Sequence, residues 1–480
     1  MKTRKFLWAL LPVAAVLLMT ACGGDDTDDV TPTPTPNPVT PGTENVVKSV
    51  PYTVTVNTGN VTRTTVDNDD ITLRFEATDK LYVQSNDGKV YGCLTLISGA
   101  NETSAMFGGT INYTGSKPAT TDRLTATLVG EENLLVTTAD GKVEPVTYSN
   151  DVVCASMEDA VKKYSWISGE TTYGTAAFTL AQKTAFMKFN VTIQDGTGPN
   201  EEVPVKITLG TDTYDFTRTT TGSQFDAEIS FVLPLAAGTE IAGDASMCVA
   251  NVSEDDESIL IGTGSTVTLV GGKVYPVTRT KDFVRLWADG PVWATKNVGA
   301  SSVTDYGDYY AWGETTGYAL SDSHVFSWAN YSLCNGSNTT LNKYNNDSNN
   351  GTVDNKTELE TTDDAAYVAS GVSWRMPTVS DFNKLLSNTT LAWTAVSSVN
   401  GGMFKGKEES SYKGKAIFLP AAGFKGDSDS FYQGEQGFYW SLSLNTNSTK
   451  TGSRLYFDSD GANTGSSGRK NGFTVRPVRN

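Results

Sequence analysis

The chain has 480 residues, with 37 Lys+Arg against 54 Asp+Glu and a net charge of −17. Residues 1–280 hold 19 basic and 34 acidic residues, whereas residues 281–480 hold 18 and 20. An acidic surface with no Lys/Arg run interleaved with aromatics repels phosphate backbones, which argues against a nucleic-acid partner.

The chain opens on Lys2, Arg4 and Lys5, followed by an apolar run of about 13 residues from Phe6 to Leu18 that contains Pro12. That run is too short to cross a ~30 Å hydrocarbon core, and a charged start, short apolar stretch and small residues are the layout of a secretory signal. Thr20-Ala21-Cys22 resembles the lipobox of bacterial lipoproteins, with Met19 where Leu is usual. The resemblance implies that residues 1–21 are a removed signal peptide and that Cys22 carries the lipid, palmitate included, which holds the protein in the outer membrane. Asp25, Asp26, Asp28 and Asp29 follow, resembling the surface-export signal of Bacteroidetes lipoproteins. Thr31-Pro32-Thr33-Pro34-Thr35-Pro36 then favours polyproline II at ~3.1 Å per residue, so residues 22–45 read as an acidic, stiff linker.

From Val46 to Thr280 the pattern is β. Ile71, Leu73 and Phe75 alternate with Thr72 and Arg74, and Met187, Phe189, Val191 and Ile193 alternate with Lys188, Asn190 and Thr192. Period two with one polar face predicts half-buried strands. Asp87-Gly88, Asp140-Gly141 and Gly271-Gly272 supply residues that tolerate positive φ between strand-like runs. Two antiparallel β-sandwiches are expected, 46–165 and 166–280. Thr62-Arg63-Thr64-Thr65, Thr78-Asp79-Lys80-Leu81-Tyr82-Val83, Ala105-Met106-Phe107-Gly108-Gly109 and Leu269-Val270-Gly271-Gly272-Lys273-Val274-Tyr275 resemble the fimbrillin-like (Mfa-like) proteins of Bacteroidales. That resemblance implies transthyretin-like sandwiches, fimbrial subunits as partners, and Arg63 as a processing site; a plain exposed arginine is the alternative at that position.

Seven of the nine tryptophans lie in residues 281–480, which marks a separate domain with a ring-built core. Thr362 is placed to cap one short helix that stops at Gly371. Thr378, with Asp381 three residues on, is placed to cap a second that carries Phe382, Leu385 and Leu386 on one face. Val292-Trp293-Ala294-Thr295, Asp308-Tyr309-Tyr310-Ala311-Trp312-Gly313-Glu314, Trp374-Arg375-Met376-Pro377-Thr378, Ile417-Phe418-Leu419-Pro420, Gly437-Phe438-Tyr439-Trp440-Ser441 and Gly472-Phe473-Thr474-Val475-Arg476-Pro477 resemble the Fibrobacter succinogenes major paralogous (FISUMP) domain. Lys296 stands where many of its members have cysteine. The expected fold is therefore mostly β: tandem sandwiches followed by an α+β, C-type-lectin-like domain.

Trp312 with Glu314, and Tyr439 with Trp440, form a candidate sugar platform, since a flat ring stacks on a pyranose while a carboxylate takes its hydroxyl hydrogen bonds. Core packing explains the same rings, and Arg375 and Arg476 read as loop braces. Asp427-x-Asp429 reads as an ordinary turn, with calcium as the alternative. Asp363-Asp364 and Glu408-Glu409 read as surface pairs. The only histidine, His324, would have to serve any imidazole-based triad or metal site, and it reads as a loop residue. Cys93, Cys154, Cys248 and Cys334 are too sparse for a disulfide scaffold and read as buried thiols. No cofactor, metal or catalytic residue is called for. The expectation is a non-enzymatic, surface-exposed, adhesin-like lipoprotein with a glycan or surface-protein ligand; the alternative is a fimbrial anchor or accessory subunit that assembles by strand exchange.

Overall fold

The computed structural model describes residues 46–480 except 59–64, 68–69, 73, 140, 146–147, 149–151, 251–256, 372 and 428. The Cys22 stretch, the proline linker and Arg63 lie outside the described residues.

The first β region closes on itself. Its strands run in the order Val47–Thr58, Ala177–Gln182, Ile167–Thr172, Arg123–Val129, Lys80–Gln84, Val90–Ser98, Ser104–Thr114, and the last returns to Val47–Thr58. Tyr52, Val54 and Val56 alternate inward along the first strand and join Phe75, Leu81, Phe107, Ile111 and Leu180 in one core. The expected open sandwich is thus a closed barrel. Val47–Thr58 pairs antiparallel with Ser104–Thr114 and parallel with Ala177–Gln182, so this sheet has no free edge. The expected boundary after residue 165 falls inside this sheet, because Ile167–Thr172 and Ala177–Gln182 complete it.

A sandwich follows, as the alternation predicts. One sheet is ordered Thr221–Ser223, Asp226–Ala236, Thr184–Ile193, Val274–Lys281, and the other Asp212–Thr219, Glu202–Leu209, Ser246–Val249, Ile259–Leu260. Between them Phe189 stacks on Phe231 at 4.6 Å, with Ile207, Met247 and Val249 fully buried around the pair. Gly271 is required by a close approach, since a Cβ there would lie 1.9 Å from the Gln182 carbonyl. A helix that the strand-like sequence does not announce, Met157–Tyr164, is capped by Ser156 and laced by Glu158–Lys162 and Asp159–Lys163 pairs. It packs Ala160 and Val161 onto Phe186 and Val232.

Among the described residues of the C-terminal region, three three-stranded sheets and one two-stranded hairpin accompany three ring-rich clusters. Phe283–Arg285, Val292–Ala294 and Val478–Arg479 bring the two ends of the region together, and Thr389–Val396, Val399–Gly406, Ala416–Pro420 and Gly437–Leu444, Thr451–Asp458, Gly461–Gly468 form the other three-stranded sheets. Helix Val379–Asn388 carries the expected capping box of Thr378 and Asp381. The shorter helix, Ala365–Ser370, is capped by Asp364 and not by Thr362: the buried Asp364 carboxylate accepts from the amides of Ala366, Tyr367 and Met376, whereas Thr361–Asp363 forms a 3-10 turn. Among the described residues no helix is long and apolar enough to cross a membrane.

Val47–Asn480 cohere as one compact unit. Asp195, at 0% side-chain exposure, accepts from Lys281 Nζ at 3.0 Å and Lys415 Nζ at 2.7 Å, while its carbonyl accepts the Ala416 amide at 2.8 Å. Burial alone would raise its pKa, but the two ammonium groups override that and hold the carboxyl well below the usual range. Phe225 packs with Phe418, Met403 and Val303 alongside. The sandwich and the C-terminal region therefore share a buried seam that is both ionic and apolar.

Candidate functional site

The rings expected to form a sugar platform are interior. Trp312, Tyr439 and Trp440 each have 0% exposure. Trp312 Nε1 donates to the Ser441 carbonyl at 2.7 Å and Trp440 Nε1 to the Tyr310 carbonyl at 2.7 Å, while Tyr439 OH donates to the Pro420 carbonyl at 2.8 Å. Trp440 lies flat on Phe473 at 4.1 Å. The reason is that strand Gly437–Leu444 is covered on both faces, so alternation leaves no outward side for Tyr439 or Trp440. Trp312 and Trp440 are brought into one core and Tyr439 into another. Half-buried Glu314 accepts the Ser332 amide at 2.6 Å and braces a loop. As placed, the three rings offer no face to a ligand.

The arginines of the signature are braces too. Arg476 is fully buried and donates to Asn297 Oδ1 and to the carbonyls of Ala294, Thr295 and Phe418. Arg375 holds Asp381 at 2.8 Å. A third brace had no sequence signal beyond its charge: Arg469, at 0% exposure, donates to Tyr331 OH and to the carbonyls of Lys343, Tyr344 and Thr449, with its guanidinium 4.8 Å above Trp312. His324 stacks on Tyr318 at 3.7 Å. The acidic pairs are taken up locally: Asp363 by Lys343, Glu408 by Lys413, and Asp427 of the D-x-D by Lys470. Among the described residues no group of three or more His, Cys, Asp or Glu is placed to hold a metal ion.

An exposed aromatic platform does exist, one element away from the expected rings. The hairpin of Phe424–Gly426 and Asp429–Phe431 stacks Phe431 on Phe424 at 5.0 Å and 26°, and Tyr432 lies 6.0 Å from the Phe424 ring. Phe431 and Tyr432 are 40% and 48% exposed. Phe424 continues the row inward to Phe438 at 5.3 Å, and Phe438 to Tyr456 at 5.2 Å. Arg454 stiffens this end with its guanidinium 5.2 Å and 5.1 Å from those last two rings, its Nε donating to Ser467.

The backbone at this turn is tightly constrained. Tyr432 has φ +61°, a left-handed conformation that a bulky residue avoids and that costs roughly 1–2 kcal/mol. Gly423, at φ +59°, leaves no room for a side chain, since a Cβ would lie 2.0 Å from the Phe431 carbonyl. Past the turn, Gly434 donates its amide to Ala421 and accepts from Asn400. Flat apolar ring faces of this kind can bind a ligand by stacking.

A family model described as "Domain of unknown function (DUF8237)" matches residues 407–478, which include the platform. No curated protein matches the chain. Among solved structures, a putative cell adhesion protein from Bacteroides uniformis is similar at 13% identity and TM-score 0.25, over 48% of this chain and 92% of that one. The tip fimbrial protein Mfa3 from Porphyromonas gingivalis is similar at 8% identity and TM-score 0.24, over 48% and 94%. The fimbrial anchor protein Mfa2 from the same organism is similar at 13% identity and TM-score 0.24, over 42% and 78%.

Proposed function

We propose that this chain is a non-enzymatic, adhesin-like lipoprotein of the outer membrane, anchored through Cys22 and displayed on the cell surface, that binds a glycan or protein ligand through its C-terminal region. The Phe424, Phe431 and Tyr432 platform is the observation that carries the reading. Two large rings stand side by side at the surface, and the left-handed φ of Tyr432 is strain of a kind that clusters at ligand sites. The lipobox and proline spacer supply an anchor and reach for such a head. The fimbrillin-like and FISUMP resemblances, and a C-type-lectin-like fold for residues 281–480, belong to the same proposal. The test is a glycan and surface-protein array probed with the full chain and with a Phe431→Ala/Tyr432→Ala variant. Binding lost in the variant is expected; an array with no hits, or equal binding by a folded variant, would sink the reading.

A second reading, a fimbrial anchor or accessory subunit assembling by strand exchange, is favoured by the first strand. Val47–Thr58 fills the gap between two neighbours and immediately precedes the stretch that contains Arg63. It predicts co-purification with a fimbrial rod, and a strictly monomeric protein in native membranes would count against it.

A further inference from the structure

Where the row of rings ends, Arg454 is a cation with no acid paired to it among the described residues. Strand Thr451–Asp458 pairs with Gly461–Gly468 in a register that sets Arg454 opposite Gly465 and Tyr456 opposite Asn463, with Ser467 two residues beyond Gly465. Opposite residues share a face of the sheet, and so do residues two apart, so Asn463 and Ser467 flank the guanidinium. A Cβ built on Gly465 would lie 3.6 Å from Nη2 and 3.7 Å from Cζ and Nη1, which shows the guanidinium lying over the strand where it has no side chain. Its Nε donates to Ser467 Oγ at 2.9 Å, its one hydrogen bond among the described residues. Nη1 is buried with no acceptor, and Nη2, which solvent reaches, has none either. Ser467, having accepted from Nε, has its own proton to give, and the exposed Asn463 amide is unbonded. Asp458, at the end of the same strand, is spent on Tyr456 OH and on the amides of Asp460 and Gly461. Burial lowers the Arg454 pKa against the opposing field of Tyr456, so this cation is partly stripped of water.

We propose that the donor cluster of Arg454, Ser467 and Asn463 binds the sulfate ester of a saccharide whose sugar rings run onto the Phe424, Phe431 and Tyr432 platform. The proposal rests on the glycan reading of that platform and adds the charge that the glycan carries. Steps of 5.2 Å from Arg454 to the Phe438 ring, 5.3 Å from there to Phe424 and 5.0 Å on to Phe431 link the two places. Donors from three side chains on two strands suit an oxyanion whose oxygens point in three directions, which a flat carboxylate lacks. Charge-assisted bonds to it would also satisfy N–H groups whose isolation costs stability. One guanidinium balances the single charge of a sulfate ester. A phosphate monoester, at about −1.5 to −2, would leave excess negative charge close to Asp458 and Asp460.

The test is calorimetric titration of the full chain with dextran oligosaccharides in sulfated, carboxymethylated and unmodified form. The sulfated form is expected to bind saturably and about tenfold or more tighter than the other two, as a charge-assisted contact implies. Arg454→Gln should abolish that preference. Asn463→Asp, an isosteric change at an exposed residue, supplies an acid beside the guanidinium and should cut the preference about tenfold with the rings in place. It decides the matter should the Arg454 variant fail to fold. Phe431→Ala/Tyr432→Ala should weaken all three forms alike and keep the preference, so the ratio reports the donor cluster and the shared affinity reports the platform. Equal binding of the sulfated and unmodified forms, equal binding of the sulfated and carboxymethylated forms, no binding of the sulfated form, or a folded Asn463→Asp protein with full preference would each overturn the proposal.

Discussion

Lys415 Nζ lies 2.7 Å from Asp195 Oδ2, although 220 residues of chain separate them. Lys281 reaches the same oxygen at 3.0 Å, so one buried carboxylate fastens a sandwich strand end to the C-terminal region. Removing one member of such a set leaves buried charge uncompensated, which costs about 3–5 kcal/mol.

Asp195→Asn should therefore lower the unfolding free energy by about 3 kcal/mol, read from urea titration at neutral pH. The pH dependence has a definite sign. The folded pKa lies below the unfolded value of about 3.9, so the stabilisation is complete above that pH and is lost as pH falls toward the folded value. The Asn variant should show a shallower loss of stability below about pH 4 than the parent; parallel acid limbs would mean that Asp195 is not ionised in the fold.

Tyr432→Gly should separate binding from stability. Glycine relieves the φ of +61°, so the variant should be as stable as the parent or more so by up to about 1 kcal/mol, while platform binding falls. A less stable variant with intact binding would show that the ring serves packing.

Arg469→Met should cost about 3 kcal/mol or more, because the carbonyls of Lys343, Tyr344 and Thr449 lose their donor together. Limited proteolysis should then cut the Asn335–Gly351 loop faster, and Arg469→Lys should rescue little, since one ammonium cannot reproduce the planar fork. Unchanged cleavage would show that the loop is held by other contacts.

Gly271→Ala should destabilise by about 2 kcal/mol or more, measured as a fall in the thermal midpoint, because backbone must move to clear 1.9 Å. A neutral effect would mean that this junction between barrel and sandwich yields freely.

Local patterns were legible in the sequence where one chain segment settles the outcome. The alternation of Met187, Phe189, Val191 and Ile193 is realised as strand Thr184–Ile193, with those four side chains buried. The Thr378–Asp381 capping box is present as read. What depends on a distant partner was not legible. Closure of the barrel rests on the parallel pairing of Thr55 with Ala177, which no local pattern encodes. Tyr439 and Trp440 look outward-facing only until the elements covering both sides of their strand are in place. The exposure of Phe431 and Tyr432 has no local signal, because it depends on what the rest of the fold leaves uncovered. Asp364 displaced Thr362 as a cap because it also collects the amide of Met376, twelve residues on.

The first strand of the barrel has a mechanical consequence. Any pull on the chain ahead of Val47 reaches a strand bonded over eleven residue pairs on one side and four on the other, so extraction must break two ladders together. A tether attached there would transmit drag from a flowing medium into the fold, and the protein would resist as a loaded joint. Single-molecule pulling from the N-terminal side should meet its main force peak at this strand, before the sandwich extends.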